Sequence, residues 1–258
     1  MTEEFYQQLL LVALVMTRMT GFVLFNPILG RRGIPARVKA GMIFALTVVA
    51  FPGGGMEAVT GTATIGYLFI LIKELFVGYL LGFVMNLFSY MTTHAGAIMD
   101  FQMGLTMATV YDPVNGSQTA VTGTLLNIYY TMLFFAADGH LMMIRIMLNA
   151  AKVVPYGEVV LRQEAWTAIL DIFKDCTVLA VKLSFPLLAA EMLLQVGVGI
   201  LMKVVPQMNL FVMNIQMKIL VGFASLIFLV SPFGDFITIQ TTRMLNTMQE
   251  MLYLMAPG

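Results

Sequence analysis

The chain has 258 residues, of which 59% are hydrophobic, and its 14 basic and 14 acidic side chains cancel. Only 11% of residues are charged and the mean hydropathy is +0.88, against roughly 25% charged residues in a soluble domain. This composition excludes a soluble enzyme, gives no electrostatic basis for binding nucleic acid, and, with Cys176 as the sole cysteine, excludes an intrachain disulfide.

The start, Met1-Thr2-Glu3-Glu4, is acidic where a secretory signal needs positive charge, so the first apolar run, Phe5–Leu29, is expected in the mature protein. Arg18 lies inside that run. Arg31, Arg32, Arg37 and Lys39 crowd the next connection and argue that it faces the cytoplasm, while the charge pattern of the later connections leaves the topology open. The second run, Ala40–Phe51, is shorter than the about 20 residues a straight helix needs to cross hydrocarbon.

The third run, Ile65–Met91, carries Lys73 and Glu74. Glu74, Gly78, Gly82 and Asn86 recur every four residues and form one narrow stripe on a helix. Gly78 and Gly82 make a GxxxG pattern, which admits another backbone at close range. A carboxylate beside that contact requires a partner, because an unpaired charge is strongly unfavourable in hydrocarbon. The stripe reads either as packing within one chain or as a subunit interface.

No lysine or arginine occurs between Lys73 and Arg145, so this hairpin lacks the usual charge anchors. Its middle, 92–120, reads as a loop rich in Met, Gly and uncharged polar groups. Met99, Met103 and Met107 are spaced four apart and, if helical, share a face with Gly96 above Met91. Such a stripe is ordinarily core. The turn-forming run Tyr111-Asp112-Pro113-Val114-Asn115-Gly116 directly after it favours a deformable seal of repackable methionines. Asn115-Gly116-Ser117 also fits a glycosylation acceptor, a short and weak pattern.

The fourth run, Val121–Ala137, is marginal in length, and Asp138-Gly139-His140 reads as a turn at a helix end. The connection Asp138–Asp175 has mixed charge, with a weak boundary near Pro155–Ala165. The fifth run, Cys176–Met202, contains Lys182, Pro186 and Glu191. Ser184, Glu191, Gln195, Gly199 and Lys203 make a polar line along it. Arg18 can pair with Glu74 or with Glu191; spacing does not choose. A proton relay is the functional alternative, disfavoured by the distance in sequence between the titratable groups. Ile219–Val230 is again short, and Thr241–Met255 reads as a separate amphipathic helix that lies on the membrane or against a partner.

Neither His94 nor His140 has a Cys, His or carboxylate at metal-ligand spacing, and no HExxH, GxSxG or Walker-type loop occurs. No cofactor and no enzymatic activity are expected. The fold expected from the residues is an all-α membrane protein of helical hairpins in a packed assembly with a wet or protein-lined interior.

A set of short motifs runs almost end to end in order. Arg18 is followed by Asn26-Pro27 and Arg31-Arg32-Gly33-Ile34-Pro35; Lys73-Glu74 leads into Gly78 and Gly82. Phe101-Gln102-Met103-Gly104, Tyr111-Asp112-Pro113, Asp138-Gly139-His140, Pro206-Gln207-Met208-Asn209 and Lys218 with Gly222 complete it. In these the chain resembles the FliR/SctT-like family of type III export-gate membrane proteins. The resemblance implies one subunit of a flagellar export gate in the bacterial inner membrane, at the flagellar basal body, assembled with FliP and FliQ around a channel for unfolded flagellar substrates. It implies FlhB, FlhA, a rod adapter and membrane lipid as further partners. It implies a FliP-like part over 1–160 and a FliQ-like hairpin with an amphipathic C-terminal helix over 161–258. It also implies a plug at about 101–118, to which Phe101, Met103, Gly104, Met107, Tyr111, Asp112, Pro113, Asn115 and Gly116 would contribute. Arg18, Glu74, Gly78, Gly82, Asn86, Glu191, Gln195 and Lys203 would then hold helices or subunits together. The rivals are an injectisome counterpart exporting virulence effectors and a small-solute secondary transporter, for which no paired-half repeat is visible.

Overall fold

A computed structural model describes residues 2–51, 64–105, 110–112, 117–204 and 210–257. Among the described residues seven helices carry the fold: α1 (Thr2–Phe25), α2 (Ala36–Ala50), α3 (Thr64–Met103), α4 (Val121–Ala136), α5 (Gly139–Val153), α6 (Gln163–Val204) and α7 (Leu210–Leu254). Two three-residue strands, β1 (Val110–Asp112) and β2 (Ser117–Thr119), pair antiparallel with Asp112 opposite Ser117. The chain is an all-α membrane protein, with this small strand pair among the described residues. Among the described residues four helical segments are long and apolar enough to cross a membrane, Phe5–Phe25, Ile65–Met103, Gln163–Leu201 and Met213–Leu254. A fifth arises if α4 and α5, bent by 69° at Asp138, count as one broken span.

Several helices are longer than the apolar runs suggest. α3 continues through 92–103, so the expected loop begins at Gly104 and not at 92 or 101. The Asp138–Asp175 connection holds α5 and the first turns of α6. The short run Ile219–Val230 and the amphipathic tail are one helix of 45 residues, passing through Pro232. At about 1.5 Å per residue, α3, α6 and α7 each reach roughly 60 Å, twice a hydrocarbon core. Dips in hydropathy along them therefore do not mark ends.

The chain divides into two compact units, each drawn from separated stretches. One comprises residues 1–87, 138–173 and 242–258, and the other 88–137 and 174–241. In the first, Leu14, Met19 and Phe22 of α1, Leu81 and Met85 of α3, and Met143 and Met147 of α5 are all buried. The tail also closes this core. Met244, Leu245, Met248, Met251, Leu252 and Met255 are buried within the chain, while Arg243, Asn246, Gln249 and Glu250 face outward. The apolar face of the tail is thus already covered and is not left for a membrane or a partner. Met255 also accepts a backbone hydrogen bond from Val160 N at 3.3 Å.

The core of the second unit joins Met91, Ala95, Met99 and Met103 of α3 to Leu126 of α4, Leu179, Leu183 and Leu187 of α6, and Phe233 of α7. Tyr129 of α4 reaches α7, its hydroxyl donating to the Val230 carbonyl at 3.1 Å.

Candidate functional site

In the first unit, α1 and α3 cross where both present glycine. A Cβ on Gly78 would run into the Arg18 carbonyl and Phe22 N, and one on Gly21 would meet the Leu75 carbonyl. A Cβ on Gly82 would stand 2.9 Å from the Phe25 carbonyl carbon. Backbone therefore lies against backbone, as GxxxG permits. Asn86 extends the same seam by donating to the Phe25 carbonyl that ends α1. The stripe from Glu74 to Asn86 packs against this chain's own α1; as read from one chain, it is not a free subunit surface.

The close approach brings Arg18 and Glu74 together, both fully buried. Arg18 Nε donates to Glu74 Oε2 at 2.5 Å and Nη2 to Oε1 at 3.0 Å, a bidentate pair. The segment after α5 completes the site. Arg18 Nη1 donates to the Val154 carbonyl at 2.9 Å, and Gly157 N donates to Glu74 Oε1 at 2.7 Å. Gly157 has φ of 89°, a left-handed conformation that glycine adopts without cost. Tyr156 places its ring 4.3 Å from the guanidinium, a cation–π contact. Burial pushes the Tyr156 phenol up from its ordinary value, with Arg18 opposing and Glu74 adding to the shift. Lys73, beside Glu74, reaches the Val159 carbonyl at 3.4 Å. The site thus ties α1, α3 and the 154–159 segment with one compensated charge pair. Arg18 pairs with Glu74, and Glu191 belongs to the other unit.

In the second unit, Gly104 (φ 77°) ends α3, donating its N–H to the Phe101 carbonyl at 3.2 Å. Phe101 is exposed on that last turn, whereas Met99 and Met103 are fully buried among α6 and α7 residues. These two methionines pack as core of this chain. Met107, Pro113, Asn115 and Gly116 lie outside the described residues. Tyr111 and Asp112 lie on β1.

Both feet of this loop are fixed. Asp100, buried near the end of α3, accepts from Thr122 N at the start of α4 with both carboxylate oxygens at 3.2 Å. A carboxylate there satisfies a free helix N–H and complements the helix dipole. Next to it, a Cβ on Gly96 would collide with the Gly123 backbone. Asp100 and the Gly96–Gly123 contact were not singled out from sequence. The available signal was a carboxylate among apolar residues in a stretch without basic residues.

The polar line on α6 does not share one environment. Ser184 and Glu191 are fully buried, while Gln195, Gly199 and Lys203 are exposed. Ser184 is satisfied by the Val181 carbonyl at 2.9 Å, whereas neither Glu191 oxygen has a hydrogen-bond partner among the described residues.

Comparison with known proteins covers most of the chain. Residues 9–244 match the model of the family described as bacterial export proteins, family 1. The flagellar biosynthetic protein FliR of Pectobacterium carotovorum subsp. carotovorum is 27% identical over 221 residues, 84% of each chain. The surface presentation of antigens protein SpaR of Shigella flexneri is 26% identical over 223 residues, 85% of each chain. The Yop proteins translocation protein T of Yersinia pestis is 24% identical over 213 residues, 81% of this chain and 82% of its own. With a family match covering well over half its length, the chain belongs to the bacterial export proteins, family 1.

Proposed function

We propose that this membrane protein is a non-enzymatic subunit of the flagellar type III export gate in the bacterial inner membrane. It assembles with FliP-like and FliQ-like subunits, and meets FlhA, FlhB and a rod adapter, around a channel for unfolded flagellar proteins. The loop 104–120 contributes to closing that channel. Residues 1–160 form the FliP-like part and 161–258 the FliQ-like part. This lineal division concerns likeness to partner subunits, and the two compact units concern packing.

The observation that carries the reading is the stem of the loop. A short connection, carrying a strand pair, is held at both feet by the Asp100–Thr122 bonds and the Gly96–Gly123 contact. A closure needs a small element on a rigid support, so that it blocks the channel at rest without loosening the wall. Gln195 and Lys203, exposed on α6, suit contacts with neighbouring subunits. Exposed Leu193, Val196, Ile227 and Phe228 offer apolar surface to lipid or to those subunits.

The test deletes residues 106–118, replacing them with a short glycine linker and sparing buried Met103 and Leu105. The assembled complex is then assayed for small-molecule leakage across the membrane. Increased leakage with normal assembly is expected; unchanged leakage with normal assembly would remove the closure role.

A further inference from the structure

Glu191 has no part in the closure of the loop described above, yet it is fully buried in the second unit. Neither of its carboxylate oxygens meets a donor among the described residues. α7 approaches it at Gly222, where a Cβ would stand 3.2 Å from Glu191 Oε1. The same Cβ would run into the Met103 thioether, so α3, α6 and α7 converge on the carboxyl group. Met103 is the last residue of α3 and adjoins Gly104, where the loop begins. Among the described residues, the charged group acting on Glu191 is Lys218, one turn before Gly222 on α7. From α3 the facing group is a thioether, which supplies neither charge nor a donor.

Each charge state of the carboxyl group has a counterpart in this arrangement. A neutral acid suits a donor-free apolar packing site, where an isolated anion is costly. An anion suits the field of Lys218, which is near enough to act on it without forming a contact pair.

We propose that Glu191 is a proton-binding site. Its carboxylate takes a proton from water to become the acid packed against Met103 and Gly222, and returns the proton to water to become the anion countered by Lys218. The step breaks and forms only O–H bonds and needs no other reactant. The site does not depend on the export-gate reading.

The test is pH-titrated infrared difference spectroscopy of the purified full chain in lipid nanodiscs. The difference between wild type and Glu191→Gln should contain a protonated-carboxyl carbonyl band that grows in reversibly as pH falls. Lys218→Met should retain the band and move its midpoint to higher pH, since removing a nearby cation favours the neutral acid. Carboxyl carbonyl bands that titrate identically in the wild type and in folded Glu191→Gln would overturn the proposal. If Glu191→Gln fails to fold, Lys218→Met decides alone, and an unmoved midpoint counts against the site. The loop-deleted protein should keep the band, so failure of the export-gate reading and failure of this one are separable.

Discussion

At the scale of single residues, the Arg18–Glu74 pair sets what a substitution does. Two charges taken out of water are tolerable only while each satisfies the other. Glu74→Ala leaves Arg18 buried with its Val154 bond and the Tyr156 ring but no counter-charge. The expected cost is about 3–5 kcal/mol, read as a large drop in thermal stability or failure to accumulate in the membrane. Replacing both, Arg18→Met with Glu74→Leu, should recover much of that loss, because the uncompensated charge is gone. A double variant no better than Glu74→Ala would show that the pair has a role beyond mutual neutralisation. Tyr156 gives the pH dependence. Its hydroxyl is buried without a hydrogen-bond partner among the described residues, and burial pushes its ionisation upward. In the unfolded chain the phenol ionises near about 10, so the neutral form favoured by the fold contributes stability below that value. This stability is lost as pH rises from about 10 toward the folded value. Tyr156→Phe keeps the ring over Arg18 and drops the orphan hydroxyl. It should leave stability at neutral pH unchanged or raised by about 1 kcal/mol, and thermal melts in the alkaline range should fall less steeply than those of the wild type.

At the scale of elements, glycine placement separates contact from composition. Gly41 in α2 has nothing within 4 Å of an added Cβ, whereas Gly78 in α3 has the backbone of α1. Each gains helix propensity on conversion to Ala, about 1 kcal/mol. Gly41→Ala should therefore stabilise slightly, while Gly78→Ala should destabilise by at least about 3 kcal/mol through forced separation of α1 and α3. Circular-dichroism melts of both variants in one detergent check this, and equal effects would refute the backbone contact. The stripe through Gly78 was legible in the sequence because a four-residue period of small and polar residues has few other causes. The ends of α3 and α7 were not legible. Residues 92–103 contain Thr92, Thr93, His94, Gly96, Asp100 and Gln102, and residues 231–235 contain Ser231, Pro232, Gly234 and Asp235. Both dip in hydropathy and carry helix-weakening residues, which in lipid would mark a loop. Here protein covers part of each: Thr92, Gly96 and Asp100 are buried, as are Phe233 and Gly234, while His94, Ser231, Pro232 and Asp235 stay exposed. Asp100 caps α4, Thr92 bonds the Ser89 carbonyl at 2.8 Å, and Gly234 lies under the Tyr129 hydroxyl. Tertiary packing replaces the lipid that a hydropathy reading assumes.

At the scale of the whole molecule, the same substitution of protein for lipid explains the hairpin without basic residues. Between Lys73 and Arg145 the chain relies on Glu74, Asp100, the glycine contacts and a methionine core for its position, and each of these meets other parts of the chain. The all-α class and the candidate ion pair were visible in the residues, the latter with two partners to choose from. The interleaving of 1–87, 138–173 and 242–258 into one unit was not visible, because it rests on contacts between stretches far apart in sequence. In the proposed export gate, the loop on its fixed stem is where an exported chain would meet this protein. The direct measurement places a photo-crosslinking residue at Tyr111, on β1, in cells carrying an export substrate arrested in transit. A second crosslinker at exposed Gly197 of α6 serves as the control. The account predicts that Tyr111 captures the arrested substrate and that Gly197 captures only lipid or gate subunits. Efficient crosslinking of Tyr111 to other proteins but never to the substrate would contradict it.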